Sequence, residues 1–289
     1  MSTAPASLPD WPGSPDATFE VAAPDGLPLV VERFDSATSS GCALLFIHGI
    51  ANYPGPYRGF ARALAQAGTT VYLPHLRGHG SSGVKGRMGG PATVLADIAA
   101  LVATVRAANP AAELVLGGES MGGLFALAYA ASDHPAPDRL VLLVPALRPN
   151  YRTWLGTAGD IVSLPLTATW EERVHLVHAP INGEPTRSEE FSRGTRADPN
   201  MLSQPSLGYL LTIGQLMFGA TWRYPAHVTI PVLLMQAERD RVLDGRAARV
   251  LAQRLPSVEF ETIPEAWHNV LWDPTAEATV ARIAEWLAR

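Results

Sequence analysis

Leu114-Val115-Leu116-Gly117-Gly118-Glu119-Ser120-Met121-Gly122-Gly123-Leu124-Phe125-Ala126-Leu127-Ala128 decides how this 289-residue chain is read. An apolar run gives way to Gly118-Glu119-Ser120-Met121-Gly122, and small and apolar residues follow. The pattern is strand, sharp turn, helix, with a serine at the turn. A hydroxyl there stands clear of the sheet edge, and the flanking glycines relieve crowding in a strained backbone. The helix that opens at the turn directs unpaired N–H groups toward negative charge building up beside the serine. A G-x-S-x-G match is weak by itself, so the elements around it set its weight.

Upstream, Thr18-Phe19-Glu20-Val21 and Leu29-Val30-Val31-Glu32-Arg33-Phe34 flank Pro24-Asp25-Gly26, a hairpin signature. Ala43-Leu44-Leu45-Phe46-Ile47 is a continuous apolar run suited to a strand covered on both faces. A helix is expected around Tyr57 to Ala67 and a strand at Thr70-Val71-Tyr72-Leu73. Val94, Leu95, Ile98, Leu101, Val102 and Val105 recur at three and four and mark an amphipathic helix. After the serine come strands at Leu140–Val144, Val232–Met235 and Val258–Glu261, with a helix around Ala247 to Leu255 between the last two. A final helix follows, with Asp273 as expected N-cap, Pro274 at its first position, and Val280, Ile283 and Leu287 on one face.

Alternation of strands and helices predicts an α/β fold with a mostly parallel sheet and helices on both faces. Residues 148–224 break it, with no clear buried strand and with Trp154, Trp170 and Trp222. They are expected to form an inserted helical cap over the C-terminal edge of the sheet, where open α/β folds bind ligands. The domain reading is therefore a loose arm at 1–15, a core at 16–147 and 225–289, and a cap at 148–224.

Composition narrows the classes. Apolar residues make up 47% and charged ones 17%, which suits an ordinary globular chain. The net charge is −5 with no basic stripe, so nucleic acid is not an expected partner. Cys42 is the single cysteine, which excludes an internal disulfide and a thiolate metal cluster. The arm carries Pro5, Pro9, Pro12 and Pro15 and does not read as a secretory signal. No run of 18 apolar residues is present, so no membrane span is expected, and the chain is read as a soluble, cytoplasmic protein.

An alcohol is a poor nucleophile at neutral pH. It needs an adjacent base, and the base needs a group that fixes its tautomer. On a sheet of this kind the chain order is Ser, then acid, then His. Asp240 follows the Val232–Met235 strand, and His268 follows the Val258–Glu261 strand. Glu238 and Asp244 lie close enough to compete for the acid role, and Asp240 could instead be a loop carboxylate paired with Arg239 or Arg241. An oxyanion needs two preorganised N–H donors. The candidates are the amide of Met121 and the amide of Ile50 in His48-Gly49-Ile50. His48 is read as a buttress of that loop.

Two motifs read as decoys. Gly78-His79-Gly80-Ser81-Ser82-Gly83 fits a dinucleotide fingerprint, but loop follows where a helix would have to start. His175 and His178 are spaced i, i+3 with no evident third ligand and read as a helix-surface pair; hydrolysis by a serine nucleophile needs no metal or organic cofactor, and none is expected. Between Pro205 and Trp222 apolar residues cover more than one helical face. Either they form the cap's own core, or they line an acyl-chain tunnel or a membrane-touching lid. On the second reading Leu207, Leu211, Met217 and Phe218 are the candidate substrate-binding residues.

Taken together, His48-Gly49, Leu76-Arg77-Gly78-His79-Gly80-Ser81-Ser82-Gly83, Gly118-Glu119-Ser120-Met121-Gly122-Gly123, Asp240-Arg241-Val242 and Trp267-His268 resemble the α/β-hydrolase superfamily. Within it they look most like the monoacylglycerol lipase and lysophospholipase branch, and Asp198-Pro199 is similar to that branch too. The resemblance implies a serine hydrolase acting on carboxylic esters with a lipid-like acyl chain and using Ser120, Asp240 and His268. The expected partner is a small-molecule ester or lipid, with transient membrane contact through the cap. Two departures stand out: His75 where the branch usually has Asp, and Asn269 where it often has Glu. The same triad could run a lysophospholipase, thioesterase, amidase or perhydrolase, and a ligand-binding module that kept the fold is the non-catalytic alternative.

Overall fold

The computed structural model describes residues 11–38, 41–164, 168–174 and 186–289. His175, His178 and the first ten residues of the arm lie outside the described residues. Eight strands, β1 (Ala17–Ala22), β2 (Pro28–Phe34), β3 (Cys42–Ile47), β4 (Thr70–Pro74), β5 (Glu113–Glu119), β6 (Arg139–Leu143), β7 (Val232–Ala237) and β8 (Val258–Ile263), form one sheet. Their order is β1-β2-β4-β3-β5-β6-β7-β8. The β1–β2 hairpin and the β2–β4 pair are antiparallel, and from β4 to β8 every pair is parallel.

The helices are α1 (Pro54–Gln66), α2 (Pro91–Ala108), α3 (Met121–Ala130), α4 (Tyr151–Val162), α5 (Glu189–Ala197), α6 (Leu207–Trp222), α7 (Arg246–Ala252) and α8 (Ala276–Leu287). Strand alternation divides the core in two. Leu44 and Phe46 of β3 face Tyr57 and Phe60 of α1 and the Ile283–Trp286 face of α8. Ala43, Leu45 and Ile47 face the side of α2, α3 and α7. That is why β3 is apolar at every position. Helix α2 is 18 residues long with a mean hydropathy of 1.5, enough by length and composition to cross a membrane. Here it lies on the sheet through Val94, Ile98, Leu101, Val102 and Val105, with Asp97 and Arg106 interrupting its apolar sequence.

The chain leaves β3 toward β4 on one side and later returns to β5 on the other. This puts a crevice at the C-terminal ends of β3 and β5, where ligands of open α/β sheets bind. Helices α4, α5 and α6 lie between β6 and β7 in the chain. Helix α6 does not span the crevice. It packs on α3, α2 and α7, burying Tyr209, Ile213, Leu216 and Ala220. Most of the exposed large apolar side chains lie between β6 and β7, namely Tyr151, Trp154, Leu155, Val162, Trp170, Leu211, Phe218 and Trp222.

Trp11 Nε1 donates to Asp198 at 2.8 Å, and its ring packs on Phe191 at 5.7 Å. One local expectation is corrected. Asp273 does not cap α8, whose N-cap is Thr275. Its buried carboxylate accepts from Thr186 Oγ1 at 3.1 Å, the Arg187 amide at 3.0 Å and the Trp267 amide at 2.6 Å.

Candidate active site

Ser120 sits between β5 and α3 with φ of 54°, a left-handed conformation that side-chain-bearing residues seldom adopt. The turn closes because Gly122 lacks a side chain; a Cβ there would fall inside the Ile47 carbonyl oxygen. The turn lifts the serine hydroxyl to 2.9 Å from His268 Nε2. His268 Nδ1 lies 2.9 Å from Asp240 Oδ2. All three side chains are buried, that of Asp240 being 2% exposed.

The three neighbouring carboxylates have different partners. Asp240 Oδ1 accepts from the amides of Val242 and Leu243 at 2.9 and 2.8 Å, and Gln236 Nε2 donates to Oδ2 at 3.1 Å. Glu238 instead accepts the amide of Glu265 at 2.8 Å. Asp244 is paired with Arg148 and Arg246, and the Arg246 hydrogen bond draws its carboxyl down to about 2. Arg239 pairs with Glu265, and the Arg241 guanidinium lies 3.8 Å over the Trp267 ring.

Burial opposes a charged imidazole at His268. The Asp240 carboxylate more than offsets it, with help from Glu119, and holds the group above the ordinary histidine value of 6.5. His48 shows the contrast. It is buried beside His79, with ring centroids 4.7 Å apart, and burial holds it well below its ordinary value. Its Nδ1 lies 2.9 Å from the Gly49 carbonyl, and its Nε2 accepts the Leu76 amide at 3.3 Å. This fits one neutral tautomer bracing the loop, as read from the sequence.

Ile50 lines the cavity beside Ser120. Its carbonyl accepts from Asn52 Nδ2 at 3.3 Å, and the next residue, Ala51, has φ of 64°. Met121 is the first residue of α3, so its amide has no partner within the helix. Its sulfur accepts from the Tyr209 hydroxyl at 3.2 Å.

The cavity has a volume of about 520 Å³. Gly49–Asn52, Ser120, His268 and Asn269 line it together with Thr186, Phe191, Thr195 and residues 197–199 and 201–203. Leu207, Leu211, Met217 and Phe218, the four residues expected to bind substrate, do not line it. Leu207 and Met217 are half-buried, whereas Leu211 and Phe218 are exposed. The apolar stripe of α6 is used on α3 instead. A second cavity, about 850 Å³, lies between α1, α5 and α8, and Phe191 and Ala197 line both. Phe191 stacks on Trp272 with centroids 4.2 Å apart.

Several site residues were missed in the sequence. Asp198 is buried and accepts from the Tyr53 hydroxyl at 2.6 Å as well as from Trp11. The Asp198-Pro199 dipeptide was its one signal. Phe191 and Gln236 carried none. His75 accepts the Ser81 amide at Nδ1 (3.1 Å), and its Nε2 lies 3.3 Å from Glu32, so it closes the Gly78–Gly83 loop. Among the described residues no group of three His, Cys, Asp or Glu is placed to hold a metal ion.

Comparison with known proteins follows the same lines. A monoacylglycerol lipase of Mycolicibacterium smegmatis is 26% identical over 274 residues, covering 91% of this chain and 93% of that protein. A monoglyceride lipase of Homo sapiens is 25% identical over 256 residues, covering 86% and 82%. The crystal structure of a soluble variant of monoglyceride lipase from Saccharomyces cerevisiae, in complex with a substrate analogue, superposes with a TM-score of 0.85 at 18% identity, covering 98% of both chains. The model of the serine aminopeptidase S33 family, Hydrolase_4, matches residues 39–275, and with its eight-stranded α/β-hydrolase sheet the chain belongs to that family.

Proposed function

We propose that this chain is a serine hydrolase of carboxylic esters with a lipid-like acyl chain, of the monoacylglycerol lipase type. The observation that carries the reading is the run of two 2.9 Å contacts from Ser120 through His268 to Asp240, at the floor of a cavity. Ser120 Oγ attacks the ester carbonyl carbon and His268 Nε2 takes its proton. Asp240 stabilises the imidazolium, and the amides of Ile50 and Met121 hold the oxyanion. Collapse of the intermediate breaks the carbon–oxygen bond to the alcohol, which leaves with the proton from His268. Water then attacks the acyl-enzyme by the same route in reverse.

The relatives' lipase names support the substrate class, as does the greasy volume behind Phe191. An acyl chain longer than the first cavity passes Phe191 toward Phe60, Trp272 and Val280. The exposed Trp154, Trp170, Phe218 and Trp222 support transient contact of the 148–224 segment with a lipid surface. A panel of monoacylglycerols, a lysophospholipid, short p-nitrophenyl esters and an aminoacyl p-nitroanilide tests the reading. Monoacylglycerols are expected to give the highest kcat/KM. Phe191→Ala is expected to move the preference toward longer chains by about tenfold. Preferred cleavage of the anilide would overturn the reading.

The pH dependence follows from His268. The base must be neutral to take the proton, so activity is lost as pH falls through its pKa. Because Asp240 raises that pKa, the midpoint of kcat/KM is expected above 6.5. A profile flat from pH 5 to 9 would count against His268 as the base.

A further inference from the structure

Glu119 is a buried carboxyl that the mechanism above leaves unused. It ends β5, 1% exposed, with Ser120 next in the chain, and it lines the same cavity as Ser120 and His268. Its Oε2 accepts from the Tyr57 hydroxyl at 2.6 Å, and that hydroxyl accepts the Gly49 amide at 2.8 Å. Its Oε1 is buried with no hydrogen-bond partner among the described residues. A buried carboxyl with one oxygen unpaired is a standing cost to the fold, so a site that keeps one calls for a compensating role.

We infer that Glu119 is a positioning residue for the hydrolytic reaction. Through Tyr57 it fixes Gly49 and hence the oxyanion loop, and from the cavity lining it shares with His268 it supplies, besides Asp240, a second negative charge that stabilises the imidazole while it holds the proton taken from Ser120. The inference rests on the Ser120–His268–Asp240 reading and deepens it.

The groups that act on this carboxyl are Tyr57 from α1, by its hydrogen bond, and His268 from the loop after β8 and Asp240 from the loop after β7, by their charge. Burial pushes Glu119 up to about 7, while the Tyr57 hydrogen bond and the charge of His268 favour its ionised form. Glu119 and His268 therefore titrate as a coupled pair, and the active form is the one in which Glu119 is charged and His268 neutral. Each group raises the pH at which that form appears.

Glu119→Gln tests the charge alone, because the amide oxygen can still accept from Tyr57. The acid limb of kcat/KM is expected to move down by about one pH unit. kcat at pH 8.5 is expected to fall about tenfold, with KM within about twofold. Tyr57→Phe keeps the carboxyl but removes the donor that favours its charged form, so its acid limb is expected to move up. A residue that merely held the fold would not shift the two limbs in opposite directions. Melting checks folding. A carboxyl with a raised pKa supports the fold below its ordinary value of 4.5 and loses that support as pH rises through about 7, so Glu119→Gln is expected to melt no lower than wild type at pH 8.5.

An unmoved limb in a folded Glu119→Gln protein that still labels with a fluorophosphonate would overturn the inference and leave the triad standing. Should that variant fail to fold, an unmoved limb in Tyr57→Phe overturns it instead. Absence of labelling in the wild-type protein would instead strike the triad.

Discussion

Replacing Ser120 with alanine is expected to lower kcat on a p-nitrophenyl ester by roughly 10⁴- to 10⁶-fold while leaving the protein folded. The hydroxyl's partner is His268, and alanine meets the same left-handed backbone demand as serine, so the turn loses an oxygen and little else. Without Oγ there is no acyl-enzyme. What remains is a bound ester beside an imidazole and two amide donors, which can assist water only weakly. A fluorophosphonate should add its mass to the peptide holding Ser120 in the wild type and not in the variant. Wild-type turnover by purified Ser120→Ala would end the proposed function outright.

Asp240→Asn is expected to cost about 10⁴-fold in kcat, with little change in KM. The surroundings dictate how the asparagine sits. The Val242 and Leu243 amides both require an acceptor, so the amide oxygen takes the place of Oδ1. The NH₂ group then occupies the place of Oδ2, facing Gln236 Nε2 and His268 Nδ1. Two donors now confront each other at Gln236, and His268 must offer a lone pair at Nδ1. Its proton therefore moves to Nε2, the atom that has to accept from Ser120. The imidazole keeps its place and loses its function. Steady-state kinetics with a melting curve checks this; a variant within tenfold of wild type would show that another carboxylate orients the base.

Much of this was legible because physics leaves traces at fixed spacing. The alternation of apolar runs and amphipathic helices named the sheet. Strand ends followed by turn residues located Ser120, Asp240 and His268, since open sheets carry chemistry at their C-terminal edge. Helix α6 misled for a definite reason. Tyr209, Ile213, Leu216 and Ala220 recur at four, three and four, and this is the stripe that α3 covers. Leu207, Leu211 and Phe218 lie on the opposite side. A helix apolar all round announces burial and does not say against what. Asp273 misled because Asp-Pro before a helix has the look of a cap, whereas its carboxylate reaches across the chain to residues 186, 187 and 267. Glu119 does leave a trace: an acidic residue closing a strand that is otherwise apolar or glycine beyond its first position.

That reach of Asp273 has a mechanical consequence. Thr186 lines the cavity, and Trp267 precedes His268 by one position. One carboxylate grips both. The same anchor therefore ties a residue of the cavity lining to the residue before His268, so a change at Asp273 would be felt at both places at once.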